Sequence, residues 1–161
     1  MFAELPRLLE RAGPGPILPD GRHGQITAVF TVLVDGDDHD EPIADAVRGI
    51  LDGHIVLDRA IAQAGRYPAI DVLRSLSRAA ASCLSRDDLI ALRRARAILS
   101  LYSEMRDMVR LGAWKPGADP AVDEAVQLAP SIEAMLIQPP HETTSIEDSF
   151  AALNRALNTA A

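Results

Sequence analysis

The feature that most constrains this chain is an apolar run at residues 26–34, with the sequence ITAVFTVLV. β-Branched residues are frequent in it, and polar residues do not alternate with apolar ones. This pattern is typical of a strand in a parallel sheet that helices cover on both faces. Residues 26–34 are therefore predicted to form a strand that is buried on both faces.

The segments that follow alternate between helix and strand. Pro42 is predicted to open a short helix to about Leu51, and residues 54–57 (HIVL) have the pattern of a second strand. A helix over residues 59–64 is predicted to end at Gly65. Strand, helix, strand, helix is the α/β pattern, and two strands are too few for a stable parallel sheet. This part is therefore predicted to be the edge of a larger sheet.

The N-terminal segment has apolar residues at helical spacing, and the sequence GPGP at residues 13–16 ends that pattern. A loop is expected from there to Gly24. From Ser85 onward the pattern is helical throughout, with Ser85 and Asp88 as a capping box. Later helix signals are Asp119 with Pro120, a break at Pro130, a stop at residues 139–140, and a tail helix capped by Thr144 and Glu147.

Composition argues against several classes of partner. The net charge is −7, and no cluster of Lys or Arg is present, which argues against nucleic acid or an anionic membrane. No apolar run is long enough to span a bilayer, and the first residues do not resemble a signal peptide. Cys83 is the only cysteine, so a disulfide framework is excluded and a cytosolic compartment is expected.

Several catalytic motifs are missing from the sequence. Lys115 is the only lysine and follows Trp114, so the chain has no phosphate-binding loop of the Gly-Lys-Ser/Thr kind. The acidic segment at residues 35–41 has Asp40 at the sixth place, where a calcium loop needs glycine. It is predicted to be a solvated loop. His54 and Cys83 are interpreted as packed residues, Cys83 as buried or half-buried. No metal site is predicted.

Two residues on either side of one segment have the chemistry of a nucleotide site. Tyr67 precedes a proline, which favours an extended backbone, and its ring offers a flat face for a base. Arg78 ends the sequence SLSR and is able to supply positive charge to a phosphoryl group. Each is also compatible with an ordinary surface residue, since exposed arginines are usually only solvated charges.

Longer stretches resemble the flagellar and virulence-type protein-secretion ATPases, which are similar to the catalytic subunits of rotary ATP synthases. The resemblance covers the chain to about Gln138. It lies in FAELPRLLERAG at residues 2–13, GQITA at 24–28, VDGDD at 34–38, EPIADAVRGILDGHIVL at 41–57, RLGAWKPG at 110–117 and DEA at 123–125.

The resemblance implies a helix-rich α/β fold. Residues 1–84 are expected to be the C-terminal edge of a RecA-like parallel-sheet nucleotide domain, residues 85–140 an all-helical C-terminal domain, and residues 141–161 a tail helix. It also implies a homohexamer with ATP and Mg²⁺ between subunits. Arg78 is expected to be a catalytic finger that reaches the neighbour's γ-phosphate, and Tyr67 to stack on adenine.

The same resemblance implies binding partners and a location in the cell. The chain also departs from the family's sequence in two respects. An export regulator, a stalk protein and chaperones are the implied partners, at the cytoplasmic side of the inner membrane near the export gate. The family's phosphate loop, magnesium-holding aspartate and water-activating glutamate precede the matched region, so this chain is expected to be inactive alone. After Arg78 the chain has Ala79–Ala81 where the family has bulkier residues.

Two other functions remain compatible with the sequence. One is a fragment of a rotary ATP synthase catalytic subunit, although the Leu111–Trp114 segment favours the secretion type. The other is a non-catalytic protein-interaction module formed by the sheet edge and the helices.

Overall fold

The computed structural model describes residues 4–34 and 42–159, which divide into two compact units at residues 1–54 and 55–161. The elements within the described residues, in chain order, are α1 (Leu5–Leu9), β1 (Gly13–Ile17), β2 (His23–Ile26), α2 (Pro42–Ile50), β3 (Gly53–Leu57), α3 (Arg59–Gln63), β4 (Ile70–Ser77), α4 (Ala80–Cys83), α5 (Arg86–Arg110), α6 (Pro120–Met135) and α7 (Ile146–Asn158).

The first unit contains a hairpin that the sequence analysis did not predict. β1 and β2 pair antiparallel, with Gly13 opposite Ile26 and Ile17 opposite His23, and with an irregularity between Pro14 and Ile17. The prolines in β1 are tolerated because a two-stranded ribbon leaves half of each strand's N–H groups unpaired. The GPGP sequence therefore ends the helical segment, as predicted, and then continues as a strand.

The turn of this hairpin is held by a local ion pair. The Arg22 backbone N–H and Nε donate to the two carboxylate oxygens of Asp20, at 3.1 Å and 2.6 Å. These bonds, the backbone one first, hold the pKa of the Asp20 carboxyl below its usual range. Gly21, at φ +79°, supplies the left-handed residue of the turn.

The prediction of a buried strand at residues 26–34 is wrong for this structure. Only Ile26 belongs to a strand, and residues 27–34 have no regular secondary structure. The side chains of Val29 and Leu33 are 93% and 89% exposed. A strand needs partners for its N–H and C=O groups, and no strand among the described residues pairs with residues 27–34. The acidic segment at residues 35–41 lies outside the described residues.

The second unit begins with the alternation that the sequence predicted, and adds a strand. β3 and β4 are neighbours in a two-stranded sheet, with α3 between them in the chain. Asp58 caps α3 by accepting a hydrogen bond from the Ala60 N–H at 2.7 Å. Gly65 ends it at φ +83°, as the sequence predicted. β4 was not predicted, because its mixed sequence IDVLRSLS has neither alternation nor a continuous apolar run.

The starts of α5 and α6 were predicted correctly, and the start of α7 was predicted with an error of one residue. Ser85 caps α5 by accepting from the Asp88 N–H at 3.1 Å, and Asp119 caps α6 by accepting from the Ala121 N–H at 2.9 Å. The cap of α7 is Ser145, which accepts from the Asp148 N–H at 3.0 Å, and the prediction of Thr144 is wrong by one residue. The predicted pair, Thr144 with Glu147, and the observed pair, Ser145 with Asp148, both have capping-box spacing. Serine is the more favourable N-cap residue of the two.

The prediction of a break at Pro130 is also wrong, because α6 continues through it to Met135. Proline removes one hydrogen bond from a helix and crowds the preceding turn. Here Pro130 lies on the exposed face, whereas Ala129 and Ile132 are 0% and 1% exposed. Burial of the opposite face therefore outweighs the local penalty.

The core of the second unit is formed by α5, α6 and α7, against which Val72 and Leu73 of β4 also pack. Its buried members are Ala91, Ala95, Ile98, Leu99, Ala125, Leu128, Ala129, Ile132, Leu153, Ala156 and Leu157. Five of these eleven are alanines, which allow the helix axes to approach closely. The tail helix α7, which the resemblance did not cover, is thus an integral part of this core.

We expect Ile132→Ala to lower the free energy of unfolding of the chain by about 2–5 kcal/mol, because it leaves a cavity at a site that is 1% exposed. Ile137→Ala is the matched control. Its side chain is 56% exposed, so the expected change is within about 0.5 kcal/mol. Urea unfolding followed by circular dichroism measures both, and equal losses would contradict the assignment of the core.

Candidate functional site

The candidate nucleotide-binding tyrosine lies in the turn before β4. Tyr67 is 57% exposed, and the Tyr67–Pro68 peptide bond is cis. The Tyr67 carbonyl accepts a hydrogen bond from the Gln138 N–H at 3.0 Å, just beyond the end of α6. The backbone at Tyr67 is thus held by the helical part of the second unit, while the ring stays accessible.

The candidate catalytic arginine lies at the other end of the same strand. Arg78 is exposed and occupies the bend between β4 and α4. The small residues that follow it form the short helix α4, in which the Ser82 hydroxyl donates to the Ala79 carbonyl at 2.9 Å. Tyr67 and Arg78 are therefore separated by the whole of β4, and the structure does not bring them together.

The middle of β4 is shaped by two of its own side chains. Asp71 Oδ1 accepts from the backbone N–H groups of Leu73 and Arg74, at 2.9 Å and 3.0 Å. The Ser75 hydroxyl donates to the Asp71 carbonyl at 2.5 Å and accepts from the Val56 N–H of β3 at 3.0 Å. This network replaces part of the regular ladder, and it locks the strand locally.

A third side chain reaches β4 from the helical core. Nη1 of Arg96 donates to the carbonyls of Val72 and Ser75 at 2.5 Å and 3.3 Å, and Nη2 donates to the carbonyl of Leu73 at 2.7 Å. The sequence analysis did not single Arg96 out. Its only sequence signal is an arginine placed between apolar residues on the core-facing side of α5.

Two further arginines make contacts at β4, Arg66 at its start and Arg74 in its middle. Nη2 of Arg66 donates to the Ile70 carbonyl at 3.2 Å. Nη1 of Arg74 lies 3.3 Å from Oδ2 of Asp58, and both side chains are partly exposed, so this pair contributes little to stability. Arginine contacts thus hold the backbone of β4 both at its start and along its middle.

The remaining candidates gave mixed results. His54 is half-buried in β3, whereas Cys83 is exposed and the prediction of a buried or half-buried thiol is wrong. It lies near the end of α4, which has no buried residues. Among residues 4–34 and 42–159, no group of three His, Cys, Asp or Glu side chains could hold a metal ion. No helix in the described part is long and apolar enough to cross a membrane.

Two protein families match consecutive parts of the chain. Residues 1–77 match the nucleotide-binding domain of the ATP synthase alpha/beta family. Residues 84–155 match the EscN ATPase C-terminal domain of type III secretion systems. The second match includes most of α7.

A relative in Caulobacter vibrioides, the flagellum-specific ATP synthase, is 58% identical over 158 residues, which are 98% of this chain. Over nearly its whole length the chain is similar to the C-terminal part of the flagellar and type III secretion ATPases. It spans 36% of that relative, about a third of its length.

Solved structures of this family have the same fold. The structure of the assembled ATPase EscN from the enteropathogenic E. coli type III secretion system superposes with a TM-score of 0.89 at 36% identity, over 97% of this chain and 36% of that one. EscN in complex with its central stalk EscO gives 0.82 at 35% identity, over 97% of this chain and 35% of that one. The predicted fold, the edge of an ATP synthase-like nucleotide domain followed by a helical domain, is confirmed.

We expect Asp71→Ala to lower the free energy of unfolding by about 1–3 kcal/mol, because the N–H groups of Leu73 and Arg74 lose their acceptor. Asp71→Asn keeps an oxygen at that position, so a smaller loss is expected. Hydrogen exchange of the two amides, alongside urea unfolding, measures the effect. Faster exchange in both variants alike would show that the acceptor oxygen is not what matters.

Proposed function

We propose that this chain is part of an ATPase that hydrolyses ATP to power protein export by the flagellar type III secretion apparatus. In this proposal the intact protein binds ATP and Mg²⁺, and assembles as a homohexamer with nucleotide between neighbouring subunits. Residues 1–84 contribute the edge of the nucleotide domain, residues 85–140 the helical domain, and residues 141–161 the tail helix. Tyr67 stacks on adenine, and Arg78 is a finger supplied to the neighbouring subunit.

The observation that carries the proposal is the placement of Tyr67 and Arg78 at opposite ends of β4. A strand of eight residues extends over up to about 26 Å. In one ATP molecule, the adenine and the γ-phosphate are joined only through a ribose and two phosphates, which is a much shorter span. This separation supports the assignment of the two side chains to two different nucleotides, one on each side of the subunit.

The chemistry of Arg78 suits the transition state of phosphoryl transfer. Charge spreads over the equatorial oxygens of the transferred group, and a guanidinium placed against them stabilises it. Arg78 is exposed at the end of a strand whose backbone is held along its length. A residue that must reach into a neighbouring subunit needs this combination of an accessible head and a fixed base.

The chemistry of Tyr67 suits a base-stacking platform. The residue is 57% exposed, while its carbonyl accepts a hydrogen bond from the Gln138 N–H. A flat aromatic face stacks on any base, and it needs no hydrogen-bond partner to do so. Fixing the backbone on the helical side restricts the position of the ring without burying it.

The comparisons support a flagellar over a virulence system. The chain is 58% identical to the C. vibrioides flagellum-specific ATP synthase and 44% identical to the type 3 secretion system ATPase of Xanthomonas euvesicatoria. The complex of EscN with its central stalk supports a stalk protein as a partner of this protein too. A regulator and export chaperones, at the cytoplasmic side of the inner membrane, complete the proposal.

We expect Arg78→Ala to reduce ATP turnover by about a thousandfold or more and leave nucleotide affinity nearly unchanged, because a finger acts mainly in the transition state. The test uses a chimaera in which this chain replaces the segment that it matches in the C. vibrioides relative. Steady-state hydrolysis and equilibrium binding of a fluorescent ATP analogue are measured on the same preparation. An inactive parent chimaera, or equal losses of turnover and affinity, would contradict the proposal.

Mixed assemblies test whether Arg78 acts on the neighbour. Chimaera subunits with Arg78→Ala are combined with subunits that keep Arg78 and carry a disabled phosphate-binding loop in the relative's part. Neither kind hydrolyses ATP by itself. If the arginine acts in trans, mixing restores activity at interfaces that combine an intact loop with an intact Arg78. Mixed assemblies that stay as inactive as either parent would exclude action in trans.

We expect Tyr67→Ala in the chimaera to raise the Kd for ATP about five- to a hundredfold, the range for loss of one base-stacking aromatic ring. The turnover number at saturating ATP should change much less. Tyr67→Phe is the control, because it keeps the ring and the position before Pro68. An unchanged Kd in Tyr67→Ala would argue against stacking and would favour a non-catalytic interaction module.

A further inference from the structure

The Arg96 guanidinium donates hydrogen bonds to three backbone carbonyls of β4, the strand that separates Tyr67 from Arg78. Its Nη1 and Nη2 atoms share the carbonyls of Val72, Leu73 and Ser75. These oxygens span most of the segment in which β4 departs from regular pairing.

Arginine suits this task for a geometric reason. Its donors form a rigid planar fork, so one side chain satisfies several acceptors without reorganising, whereas lysine presents a single ammonium on a flexible stem. The charge strengthens each bond to a carbonyl. A lysine at this position would keep the charge and most of the stem, but it would not reproduce the fork.

The base of Arg96 is fixed by the helical core. Its neighbour Ala95 and the residue one turn on, Leu99, are 4% and 7% exposed, and both belong to the buried cluster of α5, α6 and α7. The position of the Arg96 guanidinium relative to β4 is therefore determined by the helical core. Its contact with Ser75 lies three residues before Arg78, and residues 75–77 are still in β4.

We propose that Arg96 is a positioning residue: it holds β4 so that Arg78 projects at the angle and distance needed to reach the neighbouring subunit's nucleotide. This inference rests on the proposed ATPase function for its catalytic consequence, although the holding of β4 by Arg96 is testable without it. Arg96 touches neither nucleotide nor Arg78 in this role. It acts through the backbone of β4.

A residue that only stabilised the fold would change other quantities. Loss of general stability would lower the amount of assembled enzyme, and would affect binding and turnover together. Loss of positioning leaves ATP binding intact, since Tyr67 is held separately through Gln138, and lowers turnover alone. A small misplacement of a catalytic group is enough to cost about a hundredfold in rate.

The first experiment measures hydrogen exchange on the 161-residue chain, comparing Arg96→Lys with the parent. Faster exchange confined to residues 71–78, with an unchanged pattern in α6 and α7, is the expected result. Arg93→Lys is the matched control, because Arg93 is exposed on the same helix, and it should behave as the parent does. Exchange in residues 71–78 that is the same in all three proteins would overturn the inference whatever the ATPase activity.

The second experiment measures turnover in the chimaera. Arg96→Lys should lower kcat by about ten- to a hundredfold, with KM and the Kd of the ATP analogue changed less than about twofold and with normal assembly by size-exclusion chromatography. In the Arg78→Ala background the same change should add little, because the group that Arg96 positions is already gone. An unchanged kcat, or independent losses that multiply, would overturn the inference while leaving the function of Arg78 standing.

Discussion

The polar groups of the β4 backbone are the constraint on which the second unit depends. β4 has one neighbouring strand among the described residues, and its middle departs from the regular ladder. A half-buried N–H or C=O without a partner costs about as much as a lost hydrogen bond. The structure meets this cost with side chains, since Asp71 accepts from two amides and Arg96 donates to three carbonyls. The shape of β4 is therefore set by side chains as much as by its neighbouring strand.

The helical core and the strand are linked through this arrangement. Arg96 projects from a helix whose buried face includes Ala95 and Leu99, and Val72 and Leu73 of the strand pack against the same cluster. Polar contacts from Arg96 and apolar contacts from β4 thus meet at one surface. A shift of α5 along its axis would disturb both kinds of contact together. The family relation gives this link significance, because one element belongs to the nucleotide-binding match and the other to the C-terminal domain.

Sequence reasoning succeeded where the deciding signals were close together in the chain. The caps at Ser85 and Asp119 and the stop at Gly65 depend on neighbours within a few residues, and they were predicted. The structure of residues 26–34 was predicted wrongly, because a strand depends on partner strands that the sequence pattern alone does not reveal. The prediction of a helix break at Pro130 failed for the opposite reason. Burial of the other face of α6 outweighed the local tendency of proline to interrupt a helix.

The candidate site divides in the same way. Tyr67 and Arg78 were predicted through the family resemblance; from the residues alone, an ordinary surface position was the favoured interpretation of each. Arg96 had no comparable signal, because the carbonyls that it bonds lie 21 to 24 residues earlier in the chain. Contacts of that kind are visible only in three dimensions.

The contribution of α7 to the core has a consequence for the order of events during synthesis. Leu153, Ala156 and Leu157 complete a cluster whose other buried members come from α5 and α6. Translation produces α5 and α6 first, so their apolar faces remain open until α7 has left the ribosomal tunnel. Nascent chains at that stage expose an apolar surface of the type that chaperones recognise. The core of α5, α6 and α7 is therefore complete only after α7 has emerged.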